Sequence, residues 1–70
     1  SVSDAGVAVE AALAGLRGAR LNVLINLDGI DDENFCNEMT KKVDTLMKKG
    51  ESFHGKVVAA VDQVMKGGNG

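Results

Sequence analysis

The chain has 70 residues, of which 44% are apolar and only two are aromatic, and its ten acidic residues outnumber eight basic ones. A domain of this size buries only about 60% of the surface of its unfolded chain and gains little stability from its own core. The net charge of −2 argues against a nucleic-acid-binding protein, and no apolar run is long enough to span a membrane. We therefore expect a partner to contribute stability, and a homodimer is the first expectation.

The first half of the chain predicts one short helix and one ambiguous segment. A Ser-Asp pair at residues 3–4 is typical of a helix N-terminus, and apolar residues recur at helical spacing from Val9 to Leu16. Gly15 and Gly18 predict that this helix ends near Arg17. Residues 21–27 fit either a strand or a helix. The helix is favoured because a lone strand would have no partner in an otherwise helical chain.

The second half predicts two further helices with clear ends. The Asp-Gly pair at residues 28–29 is a turn signal. An aspartate at 31–32 is expected to cap a long third helix that ends at Gly50. A fourth helix is expected to begin after Ser52 and to run to about Met65.

The sequence thus predicts an all-α fold. Its expected form is a small four-helix domain over residues 1–66, completed by dimerisation. A flexible glycine-rich tail is expected at residues 67–70.

Apolar residues at helical spacing form two stripes in the third and fourth predicted helices. Such stripes must be buried, so we expect them to line a subunit interface or a ligand cavity. The stripe residues are Phe35, Met39, Val43, Leu46, Phe53, Val57, Val61 and Val64.

Other polar or reactive residues give weaker signals. Cys36 is expected to act as a small buried side chain, with an intersubunit disulfide as the alternative. His54 has no second ligand or nucleophile at a fixed spacing, so we expect it to face solvent. Asp28, Asp31 and Asp32 resemble part of an EF-hand loop but lack its other ligands. The favoured interpretation is an acidic helix start without a metal, and a loose surface calcium site is the alternative.

The layout of the predicted helices resembles the secretoglobins, the uteroglobin group. The cysteines that this family carries near each end are absent here. The resemblance implies a secreted dimer with a hydrophobic cavity between subunits that accepts a lipid or a steroid-like molecule. The matching pieces are Glu10, Leu13 and Gly15; Ile30-Asp31-Asp32 followed by Met39, Lys41-Lys42-Val43 and Leu46; and Val61 through Lys66.

No catalytic signature or cofactor motif is present in the sequence, so the predicted function is not enzymatic. The first hypothesis is a small helical protein that self-associates through its apolar helix faces and encloses a small hydrophobic ligand. The first alternative is a helical subunit or interaction module of a larger assembly. The second is a membrane-active, bacteriocin-like peptide, which the acidic charge disfavours. Secretion is the expected location, with the cytoplasm as the alternative.

Overall fold

Two long helices joined by a short connection form a hairpin over residues 1–67, the part of the chain that the computed structural model describes. Helix α1 spans Val2–Leu27, and helix α2 spans Glu33–Lys66. The 34 residues of α2 account for about 50 Å of length at 1.5 Å per residue. All helical residues of the described range belong to these two elements, so the all-α prediction is confirmed.

The helices run antiparallel and make a rod. Gly6 of α1 lies beside Val61 near the open end, and Arg20 contacts Asp44 nearer the connection. The hairpin measures 55 × 15 × 11 Å, and its radius of gyration is 16.3 Å. A compact domain of 70 residues would have a radius of gyration of about 11 Å. Residues 1–67 therefore form a single layer of two helices without a globular core.

The contact between the helices follows a regular alternation of four- and three-residue steps. This spacing is typical of helices that pack along their length as a coiled coil. In α1 the buried and half-buried residues at these steps are Val2, Gly6, Val9, Leu13, Leu16, Arg20, Val23 and Leu27. In α2 they are Cys36, Thr40, Val43, Met47, Gly50, His54, Val57, Val61 and Val64.

The seam between the helices buries few side chains completely. Among residues 1–67 only Val9, Leu13 and Met47 are less than a tenth exposed, at 7%, 6% and 8%. A fully buried side chain of this size stabilises a fold by about 1.5–3 kcal/mol before entropy is subtracted. With three such residues, the seam gives the hairpin modest stability.

The prediction of four helices was wrong, because glycines expected to end helices lie inside them. Gly15 and Gly18 are within α1, which continues through residues 21–27, so the helical alternative for that segment was the right one. Gly50 is within α2, which also crosses the predicted cap at Ser52. A glycine inside a helix costs about 1 kcal/mol relative to alanine, a penalty that packing along a long seam outweighs.

The helix starts differ in how well the sequence predicted them. Helix α1 has Ser1 as its N-cap, two residues before the predicted pair. The turn at residues 28–29 and the cap of α2 are confirmed, since the Asp32 carboxylate accepts a hydrogen bond from the Phe35 amide at 3.0 Å. Residues 68–70 of the predicted tail lie outside the described range.

Gly6 and Gly50 provide a matched test of the seam. A Cβ on Gly6 would meet Val61 Cγ1 at an ordinary 3.6 Å, whereas a Cβ on Gly50 would overlap Leu16 Cδ2. Gly6→Ala should raise stability by about 0.5–1 kcal/mol, because it removes a glycine from a helix interior. Gly50→Ala should give less or become destabilising, since Leu16 must leave its rotamer at a cost of about 0.5–1.5 kcal/mol.

Thermal unfolding of the two variants, followed by circular dichroism, measures this difference. Equal stabilisation by both substitutions would contradict the close approach of Gly50 to Leu16.

Candidate functional site

The solvent-facing side of α2 is strongly polar. Eight residues of the chain are basic, and all except Arg17 and Arg20 are lysines of α2 that are exposed. They lie on the side of α2 that faces away from α1, where water can hydrate the ammonium groups. This side is suited to contact with solvent. The lysines are Lys41, Lys42, Lys48, Lys49, Lys56 and Lys66.

The side of α1 that faces away from α2 has the opposite character. We call it the outer face of α1. It runs for about five helical turns, carries no charged residue, and has asparagine as its one polar side chain. Val7, Leu21 and Ile25 are 70%, 55% and 72% exposed. The outer face consists of Val7, Ala8, Ala11, Ala14, Gly15, Gly18, Leu21, Asn22 and Ile25.

Because α1 is apolar on both of its long sides, it has the character of a helix interior to a bundle. Helix α1 does not have the character of a membrane-spanning helix. Neither helix in the described residues is both long enough and apolar enough to cross a bilayer.

One edge of the hairpin continues this apolar surface. On this apolar edge Phe53 is 63% exposed and Leu46 is 55% exposed. Phe53 and Ala12 border a small cavity of about 90 Å³ that reaches the seam at Gly50 and Leu16. The apolar surface is therefore wider than one helix face.

The opposite edge, the polar edge, holds the interhelical polar contacts. His54 Nε2 lies 2.5 Å from Glu10 Oε1, and Arg20 Nε donates to Asp44 Oδ1 at 3.0 Å. Both contacts join the two helices. An open groove of about 530 Å³ runs along this edge, and its lining is Arg17, Arg20, Leu21, Asp44, Met47, Lys48 and Glu51.

The eight stripe residues predicted to line a cavity or interface do not lie together. Phe35, Leu46 and Phe53 lie outside the seam positions and are 44%, 55% and 63% exposed. The other five are half-buried, and four of them are at seam positions. Those five are Met39, Val43, Val57, Val61 and Val64.

Cys36 lies at the start of the seam, beside the connection between the helices. Its Sγ is 3.6 Å from the carbonyl oxygens of Leu27 and of Ile30, a weak donor contact to each. Its thiol is half-buried and free within the chain. The predicted roles, a small apolar side chain or an intersubunit disulfide, both stay predictions.

The acidic connection does not gather ligands for a metal ion. Asp28, Asp31 and Asp32 are exposed, and the Asp32 carboxylate is used to cap α2. Within residues 1–67, no three His, Cys, Asp or Glu side chains are grouped so as to hold a metal.

Sequence reasoning missed the outer face of α1 and the polar edge. A signal for the first was present, because uncharged residues recur there at helical spacing from Val7 to Ile25. The predicted helix end near Arg17 fell inside this pattern, so the two parts of the pattern were assigned to different elements. The polar edge depends on pairing residues 24 and 44 positions apart, which periodicity alone cannot show.

Comparison with known proteins shows the family of this chain. The model of the family described as formiminotransferase-cyclodeaminase matches residues 1–45, which contain all of α1 and the first part of α2. The chain belongs to this family. It is also 42% identical, over 60 residues, to a methenyltetrahydrofolate cyclohydrolase of Methylorubrum extorquens. The match covers 86% of this chain but only 29% of that relative, and no solved structure matches the chain.

Family membership corrects several predictions. The secretoglobin resemblance was wrong, because apolar residues at helical spacing occur in any packed helix and do not identify a family. The non-enzymatic assignment and the hydrophobic-ligand cavity are overturned by the same matches, which point to folate enzymes. Secretion was implied by the resemblance and loses its support with it.

The contact between Arg20 and Asp44 should contribute modestly to the hairpin. Both side chains are more than a third exposed, at 36% and 47%, so solvent screens their attraction. A double-mutant cycle with Arg20→Ala and Asp44→Ala, measured by urea unfolding, should give a coupling of about 0.2–1 kcal/mol. Zero coupling would show that this pair does not fix the register.

Proposed function

We propose that this chain is a helical component of an enzyme of the methenyltetrahydrofolate cyclohydrolase type. The family match and the 42% identity to such an enzyme support the chemistry. The match covers only 29% of the relative, which supports a component of the enzyme. The first alternative in the sequence analysis, a helical subunit of a larger assembly, agrees with this proposal.

The observation that carries the proposal is the uncovered apolar side of α1. This helix lies wholly within the segment that the family model matches. An enzyme site normally encloses most of its substrate and excludes bulk water. The groove on the polar edge is open to solvent, so we propose that the rest of the enzyme is needed to complete a site.

The polar edge is the side of this chain that we assign to the substrate. A cyclohydrolase opens a ring by adding water, and such a reaction uses groups that donate and accept protons. The Glu10–His54 pair offers both functions, 2.5 Å apart. Folates carry carboxylates, and guanidinium groups such as that of Arg17 pair well with them.

The proposal also sets the location and the partners. We propose the cytoplasm, the alternative that the sequence analysis kept, in place of secretion. A homodimer stays a prediction, now for the complete enzyme and not for the hairpin alone.

A chimera tests this function. In it, the chain replaces the matched 29% of the Methylorubrum extorquens cyclohydrolase, and the loss of methenyltetrahydrofolate is followed by absorbance. We expect the isolated 70-residue chain to be inactive. The turnover rate of the chimera should lie within roughly tenfold of that of the intact relative. A tenfold difference in rate corresponds to about 1.4 kcal/mol of activation free energy.

The intact relative and the relative without its matched segment are the controls. A chimera with full helical content and no turnover would contradict the proposal. Turnover by the isolated chain at the rate of the intact relative would contradict it as well.

A further inference from the structure

We infer that the outer face of α1 is buried against apolar helices supplied by the part of the family domain that lies outside this chain. The inference rests on the proposed function, since it takes this hairpin as one component of a larger helical enzyme. The partner in this contact presents an uncharged helical surface to α1.

The outer face of α1 is unsuited to water. Val7, Leu21 and Ile25 are each more than half exposed, and no charge lies between them along about five turns. On α2, by contrast, the corresponding side carries all the lysines of the chain. A hairpin whose helices differ so strongly fits a bundle in which α1 is an inner helix and α2 an outer one.

The relative supplies enough chain to cover this surface. Sixty residues are 29% of it, which leaves about 150 residues outside the match. Helices average about 11–12 residues, so that length provides several.

A second copy of this chain would fit less well. Its α1 would cover one helix face, yet the apolar surface continues past Ala12 to the exposed Phe53 on the apolar edge. More than one additional helix is needed to cover that width.

The centre of the outer face is shaped for close helix contact. A Cβ built on Gly15 or on Gly18 would meet no other atom within 4 Å, so neither glycine is required by the packing of α1 on α2. Larger side chains flank them, with Val7 on one side and Leu21 and Ile25 on the other. A partner helix can therefore approach the α1 backbone at Gly15 and be held by the larger residues at both ends.

Gly55 provides a matched control for Gly15. It also lies inside a helix, and a Cβ added to it would meet nothing within 4 Å, but it is on the lysine-bearing side of α2. Gly15→Leu and Gly55→Leu each improve helix propensity by a similar amount, and the Cβ of either leucine meets no other atom within 4 Å. The two leucines stand on opposite kinds of surface, one apolar and one lysine-bearing.

The test compares the two variants in the chimera with the Methylorubrum extorquens enzyme, by thermal unfolding and without reference to activity. Gly15→Leu should lower the Tm by roughly 5 °C or more, because it overpacks a close helix contact. Gly55→Leu should leave the Tm unchanged or raise it. The isolated chain carrying either substitution should keep its helical content by circular dichroism.

Equal Tm values for the two chimeras would overturn the inference, whether or not the chimera is active. A discrete dimer of the isolated chain that Gly15→Leu abolishes, with no effect in the chimera, would assign the face to a second copy and overturn it too. An inactive chimera that still shows the Tm difference would refute the proposed function and leave the contact surface supported.

Discussion

The structure depends on one long seam between two helices. Its residues recur in alternating steps of four and three, which keeps a single stripe of each helix turned toward the other over the whole hairpin. That seam determines the remaining surfaces, because every other residue faces outward in a fixed direction. It buries only three side chains almost fully, so it sets geometry more than stability.

The seam determines on which side of the hairpin each charged residue lies. The lysines of α2 face solvent, and the pairs Arg20–Asp44 and Glu10–His54 join the helices along the polar edge. The outer face of α1 carries no charge that would need hydration. This distribution is the basis of the proposal that other helices cover α1 while water covers the lysine-bearing side of α2. The chain spans 29% of the related cyclohydrolase.

The sequence predicted the fold class, the turn at residues 28–29 and the cap at Asp32, because each depends on neighbouring residues alone. It failed at Gly15 and Gly50, where local propensity favours a break and packing along the seam outweighs it. Once α1 was divided, its two apolar sides could not be recognised as belonging to one helix. The candidate site was harder still, because the pairing of Glu10 with His54 requires knowledge of how the helices align.

Footprinting of apolar side chains with a photoactivated carbene would show whether other helices cover α1. Val7, Leu21 and Ile25 would be labelled in the isolated chain and in the chimera with the related cyclohydrolase, with Lys66 as an exposed reference. We expect strong labelling of all three in the isolated chain and strong protection in the chimera. Equal labelling in both proteins would show that no other helix covers α1.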